Sequence, residues 1–339
     1  MSENLTVSVA VCTYHGEAFL RQQLESFSAQ THLPDEIIFG DDGSSDRTLE
    51  ILYEWKSQVP FQVQVIRNPQ NLGYAKNFEN VLRHCTGDVI ILSDQDDVWH
   101  FDRIARTVKF FQEKPSVGAV FCNANLINGE GESLDTDLIT YTRPWFHFRE
   151  AGWLFPEAKH EEIAIFGCAA AVKKEIVSQL FPMPDDWGHD VWIYGFTPYI
   201  SEIDVLPECL FDYRLHGKNV SMKLETDAYR QWKNSYFRDA VYFYQLYEKK
   251  RNDIYRRLYS LPESSRKTRH VKFLMEQEKH LSRRKKFQDN LLLNFPWMIW
   301  EFLSGGYFRF PQPIKSILFD VKEGLSRYFH RKHPERNTS

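Results

Sequence analysis

Long apolar runs are missing from this chain of 339 residues. A helix that crosses a bilayer takes about 20 mostly apolar residues. The best stretch, Leu291 to Phe310, is broken by Asn294, Pro296, Glu301, Gly305, Gly306 and Arg309 and is not read as a span. The N-terminus, Met1 to Thr6, lacks a basic segment followed by an apolar one, so no signal peptide is expected. Cysteine is scarce. Cys12, Cys85, Cys122, Cys168 and Cys209 lie far apart, form no CxxC pair and sit in apolar runs. That fits reduced, buried thiols in a cytoplasmic protein. No GxGxxG follows the first apolar strand, which disfavours a dinucleotide-binding dehydrogenase. Internal repeats and low-complexity tracts are also lacking. With 42% apolar and 15% aromatic residues the composition is that of a chain with a large core, not a disordered one.

Charge is present but unevenly placed. The first 244 residues carry 36 Asp and Glu against 21 Lys and Arg, and the last 95 carry 10 against 21, for an overall net of −4. An acidic body argues against nucleic acid as a partner and fits a body that holds a cation. The basic tail includes Arg283-Arg284-Lys285-Lys286, followed by Leu291-Leu292-Leu293, Phe295, Trp297, Met298, Ile299, Trp300 and Phe302. This pattern fits a peripheral helix on an anionic membrane, at the cytoplasmic face of the inner membrane. It fits equally a helix packed on the acidic body.

The first 125 residues alternate strand and helix. Thr6–Val11, Glu36–Gly40, Phe61–Arg67, Asp88–Leu92 and Val117–Asn123 read as strands, short and rich in β-branched or apolar residues. Glu17–Ala29, a segment from Asp46 to Trp55, Asn77–His84 and Phe101–Gln112 read as helices, the second capped by Asp46. Such repetition predicts an α/β fold with a mostly parallel central sheet, flanking helices and right-handed crossovers, in which ligands bind beyond the carboxyl ends of the strands. Residues 124–165 read as irregular. Phe166–Val172 reads as a small-residue strand, Lys173–Leu180 and Asp190–Tyr199 as helices, and Val205–Tyr213 as an edge strand. From about Glu225 the pattern is helical and basic. The expected organisation is one domain over 1–222, with a nucleotide-binding half to about 125 and an acceptor half over 126–222, and a basic helical C-terminal region over 223–339.

Three predicted strands end in polar segments that would meet on one sheet edge. The strongest is Ser93-Asp94-Gln95-Asp96-Asp97-Val98-Trp99. Three carboxylates within four positions repel one another, and a cation or hydrogen-bond donors must neutralise them. In extended geometry Asp94 and Asp96 point the same way and could share a hard divalent ion with a diphosphate. The competing reading is a solvated acidic turn. The second segment, Asp41-Asp42-Gly43-Ser44-Ser45-Asp46, offers carboxylates to a base or ribose hydroxyl, with Gly43 for the tight turn; the competing reading is a turn and helix cap. The third is Cys12-Thr13-Tyr14, whose tyrosine could stack on a planar base or simply belong to the core. Further on, Asp190 follows Trp187-Gly188-His189 at the start of a predicted helix, where it is a candidate general base or a helix cap. Tyr213-Arg214-Leu215-His216-Gly217 offers a guanidinium for phosphate and an imidazole for a metal.

VSVAVCTYHG, FGDDGSSD, NLGYAKNF and GDVIILSDQDDVW, in this order and spacing, resemble family 2 glycosyltransferases of the GT-A fold over roughly residues 5–221. The SDQDDVW form resembles rhamnosyltransferases and related enzymes of bacterial surface polysaccharide assembly, such as O-antigen or capsule. The resemblance implies an inverting transfer from a UDP- or dTDP-sugar to a glycan or lipid-linked acceptor, with Mn²⁺ or Mg²⁺. It implies that Thr13, Tyr14 and Asp42 contact the nucleobase and ribose. Lys76 would lie near the base or phosphates, where many members carry arginine. Asp94 would be nearer the ribose and Asp96 would be the metal ligand, with His216 a further ligand or diphosphate contact. Gln95, Asp97, Trp99 and Arg214 would complete the nucleotide-sugar pocket, and Asp190 would be the base, since His189 stands where the family often has a first acid. The alternative is a nucleotide-sugar-binding protein of the same fold without turnover.

Overall fold

The computed structural model describes residues 4–142, 166–217, 219, 240–266 and 268–289, with isolated positions from 295 to 325. The chain divides into two compact units, Met1–Phe146 with His160–Gln231, and His147–Lys159 with Trp232–Ser339.

The first unit is built on a nine-stranded sheet. Four strands run parallel in the order β3 (Gln62–Arg67), β2 (Glu36–Asp41), β1 (Val7–Thr13), β4 (Val89–Ser93). β1, β2 and β4 are buried almost throughout, as strands covered by helices on both faces must be. The crossovers are α1 (Leu20–Ser28), α2 (Thr48–Lys56) and α3 (Tyr74–His84). Glu36 locks the amino-terminal edge of the sheet. Its Oε1 accepts from Ser8 Oγ at 2.5 Å, Thr86 N at 2.6 Å and Thr86 Oγ1 at 2.9 Å. Burial opposes ionisation of this carboxyl, but those donors prevail and hold it below its ordinary range.

The other side of the sheet is mixed. β8 (Ala170–Lys173) runs antiparallel between β4 and β6 (Val117–Ile127). β9 (Glu202–Arg214) pairs parallel with β6, and the two-residue β5 (Val98–Trp99) pairs antiparallel with β9. β9 is therefore not the edge strand that the sequence suggests, because β5 covers its far side. The small residues of FGCAAAV form one 3₁₀ turn, Gly167–Ala169, before the strand begins. The segment after residue 124 is less irregular than expected, since β6 runs on to Ile127 and is followed by β7 (Ser133–Asp137) and α5 (Leu138–Thr142). Residues 143–165 lie outside the described part. Among the described residues the remaining α-helices of this unit are α4 (Arg103–Glu113), α6 (Lys174–Leu180) and α7 (His189–Phe196).

The second unit contains the helices Ala240–Ser260 and Thr268–Asp289. The apolar part of the tail, 291–302, falls largely outside the described residues. Among the described residues no helix is long and apolar enough to cross a membrane.

Candidate active site

Strand register brings the three polar segments to one edge. Thr13 is paired with Asp41 and Val11 with Ser93, so the chain leaves β1, β2 and β4 side by side. β8 begins just after Cys168 and runs back along β4, which brings Cys168 to the same edge. Pairing of Val98 with Asp212 carries Arg214 and His216 alongside Asp96 and Asp97.

The SDQDD segment bends rather than extends. Asp94 and Asp97 gather with Cys168, their ligand atoms lying within 4.8 Å of one another. Asp96 Oδ2 lies 2.7 Å from His216 Nε2. The His216 ring stacks on Phe19 at 4.8 Å between centroids. The extended geometry expected between Asp94 and Asp96 is replaced by a bend at Gln95 and Asp96.

The electrostatics show how close the acids lie. Burial, then Asp96, then Asp190 push the Asp94 carboxyl up to about 7. Burial, then Asp96 and Asp94, push Asp97 well above its ordinary range, against the pull of Arg103. Asp97 is 1% exposed and its Oδ2 has no hydrogen-bond partner. A cluster this acidic, with a half-satisfied carboxylate, fits a divalent cation. The donor pair Asp96 with His216 suits Mn²⁺ or Mg²⁺, and the trio of Asp94, Asp97 and Cys168 is a second candidate. Asp190 stands at the start of α7, partly exposed, its Oδ1 accepting from Val191 N at 2.7 Å. Its charge acts on both Asp94 and Tyr74.

The other expected site residues fall into two groups. Tyr14 is 47% exposed at the rim. Gln95 clamps its backbone, accepting from Tyr14 N at 2.8 Å and donating to Tyr14 O at 3.0 Å. Thr13 Oγ1 donates to Asp41 Oδ1 at 3.2 Å. The rest are held by the protein itself. Asp42 accepts from Asn68 Nδ2 at 2.9 Å, Leu72 N at 2.8 Å and Gly73 N at 2.9 Å, so its carboxylate anchors the loop that leads into α3. Lys76 pairs with Glu79 at 3.0 Å and Asp185 at 2.9 Å and donates to Met183 O. Arg214 is buried and donates to the carbonyls of Asp96, Asn128 and Gly129 and to Gln22 Oε1. Trp99 lies in the core at 3% exposure, edge-on to Phe27, with its Nε1 on Ser93 Oγ at 3.2 Å. It packs in the core behind Ser93.

Other residues also shape this edge, and Gln23 among them carries no sequence motif. Gln23, fully buried on α1, donates to Ser93 Oγ at 2.9 Å and to Asp94 O, fixing the turn from behind. His189 is buried, stacked on Phe78 at 3.9 Å, and burial pulls its pKa down against the charge of Asp190. Gly167 leaves room for that ring, since a Cβ there would collide with His189 Nε2. A polar residue at a buried helical position is the one signal that could have flagged Gln23 and Arg103.

Comparison with known proteins agrees with this layout. The sequence profile of Glycosyl transferase family 2 matches residues 8–181. A glycosyltransferase of Nostoc sp. is 28% identical over 233 residues, covering 64% of this chain and 67% of the relative. The dTDP-rhamnosyl transferase RfbG of Shigella flexneri is 27% identical over 259 residues, covering 68% of this chain and 82% of the relative. The chain spans 63% to 67% of the length of the first relatives it matches. Among solved structures, residues 1–349 of Staphylococcus aureus TarS superpose with a TM-score of 0.54 at 14% identity, over 98% of this chain and 93% of that one, a likeness of fold. The profile match covers half the chain and includes both acidic strand ends, and the chain belongs to the family 2 glycosyltransferases, with the GT-A fold.

Proposed function

We propose that the protein is an inverting, metal-dependent glycosyltransferase that moves a hexose, rhamnose in the first instance, from a nucleoside-diphosphate sugar to a hydroxyl of a glycan or lipid-linked acceptor in cell-surface polysaccharide synthesis. The observation that carries this reading is the meeting of Asp94, Asp96, Asp97, His216 and Asp190 at one sheet edge. Rhamnose rests on the likeness to RfbG.

In this reading Asp96 and His216 hold Mn²⁺ or Mg²⁺, which when bound supplies positive charge for the departing diphosphate. Tyr14, exposed beside Gln95, packs on the base, and Thr13 and Asp42 face the ribose, with Asp42 acting also through the loop it anchors. Asp94 lies toward the ribose. Asp190 takes the proton from the acceptor hydroxyl. The hydroxyl oxygen then forms the new bond to the anomeric carbon as the bond to the diphosphate oxygen breaks on the opposite face, with inversion. Lys76 and Arg214 act by holding the walls, since their charges are already paired or bonded to the protein. The basic C-terminal region is assigned a peripheral contact with an anionic cytoplasmic membrane surface, where a lipid-linked acceptor would be found.

The test is a panel of UDP- and dTDP-sugars incubated with the protein and Mn²⁺, with release of nucleoside diphosphate as the readout. One donor is expected to be turned over, and EDTA is expected to stop it. Tight binding of UDP or dTDP with no turnover of any donor would favour a binding protein instead.

A further inference from the structure

The residue after Tyr14 sits in a backbone conformation that few side chains adopt. His15 has a φ of 51°, in the left-handed region that histidine and asparagine enter more readily than most residues. The turn around it is tied to the second acidic strand end. His15 N donates to Ser44 Oγ at 3.0 Å, Gly16 N to Thr48 Oγ1 at 2.8 Å and Glu17 N to Asp46 Oδ2 at 3.2 Å. These bonds fix the backbone that aims the imidazole. The His15 ring stacks on the Tyr14 ring, with 4.1 Å between centroids and 26° between planes. Its Nε2 lies 3.1 Å from Ser45 Oγ. The two Gln95 bonds hold the Tyr14 main chain, and the imidazole holds its ring. One face of the phenol ring is thus covered, while the residue as a whole is still 47% exposed.

We propose that His15 is a positioning residue: its imidazole, braced by Ser45, holds the Tyr14 ring in one orientation as a platform for the pyrimidine base of the donor. The inference rests on the base contact assigned to Tyr14 above. An exposed tyrosine that swings about its side-chain torsions loses that freedom when a base packs on it, and the loss weakens binding. Stacking on His15 removes the freedom beforehand, at no cost to the ligand. The rest of the phenol ring is left for the base, which can pack on it as one π face on another. Ser44, Ser45 and Thr48 of the second acidic segment then act on the nucleotide through this turn.

His15→Asn tests this, because asparagine tolerates the left-handed backbone and lacks the ring. The first measurement needs no ligand. In protein carrying ring-labelled tyrosine, the Tyr14 signals are identified by their loss in Tyr14→Phe. They are expected to be shifted by the stacked imidazole, and to return toward the values of free tyrosine in His15→Asn. Tyr14 ring signals that do not change in His15→Asn would overturn the proposal. The second measurement is a double-mutant cycle on nucleotide affinity, with Tyr14→Ala, His15→Asn and the double variant titrated calorimetrically with UDP and with dTDP in Mn²⁺. His15→Asn is expected to weaken the nucleotide that the wild type binds by about threefold to tenfold, the cost of ordering one side chain. In the Tyr14→Ala background the same change is expected to cause no further loss. An equal loss in both backgrounds would make the imidazole a direct contact and overturn the positioning role. Wild-type affinity in His15→Asn would overturn it as well. If Tyr14→Ala bound nucleotide as the wild type does, or the wild type bound neither UDP nor dTDP, the base contact itself would be wrong. The ring signals would still decide whether His15 holds Tyr14.

Discussion

Asp42→Ala separates two views of the second acidic strand end. If Asp42 served only as a ligand contact, its removal would weaken nucleotide binding and leave the fold unaffected. The structure gives it a further task. Its carboxylate is 3% exposed and receives Asn68 Nδ2, Leu72 N and Gly73 N, all within 2.9 Å. Alanine leaves Leu72 N without its acceptor, while Asn68 Nδ2 keeps Asn77 Oδ1 and Gly73 N keeps Asn71 Oδ1. A buried donor left unpaired costs about 1–3 kcal/mol, and with two weakened donors beside it we take about 2 kcal/mol in all. At about 2–4 °C per kcal/mol for a unit of this size, Tm falls by about 4–8 °C. The loop leads into α3, which begins with Tyr74 beside Asp190, so binding of UDP or dTDP is expected to weaken as well. Thermal unfolding by fluorescence and calorimetric titration with the nucleotide measure the two effects. Lost affinity with a Tm within about 2 °C of wild type would refute the anchoring role.

Two further outcomes follow from particular contacts. Gly167→Ala sets a Cβ against His189, whose other face is held by Phe78, so the ring and the neighbouring Asp190 must shift; turnover is expected to fall more than about tenfold with a Tm loss of a few degrees, measured by donor consumption and unfolding. His100 pairs with Asp212 at 2.8 Å, and that hydrogen bond raises the histidine pKa above its ordinary value. The pair therefore stabilises the fold fully below the unfolded histidine pKa of about 6.5, and the contribution is lost as pH rises through the higher folded value. The Tm deficit of His100→Gln is expected to be larger at pH 5.5 than at pH 8.5, and the reverse order would contradict the assignment.

Much of the first unit was legible because its signals are local. Strands buried on both faces read as short apolar runs, and β1, β2 and β4 fall within a residue or two of where the sequence puts them. Acidic segments straight after such runs identified the sheet edge, and register alone brings them together. What the sequence withheld depends on long-range packing. Nothing local to Trp99 says that Phe27 and Arg103 will enclose it. Nothing in YRLHG says that its arginine will bond to carbonyls 85 residues or more away, while its histidine reaches Asp96. The edge position expected for β9 failed because β5 is two residues long, too short to carry a periodic signal. The bend in the acidic turn is likewise held by groups outside the motif, Gln23 on Ser93 and Asp94 O, and Arg103 on Leu92 O.

The central claim is that Asp190 removes the acceptor proton at a metal-bound donor. Asp190→Asn keeps the shape and the helix start while abolishing the basic group. With the donor found by the nucleotide-sugar panel, this variant is expected to bind Mn²⁺ and nucleotide as wild type does, and to transfer sugar at least about a hundredfold more slowly. Transfer by the asparagine variant at close to the wild-type rate would contradict the account.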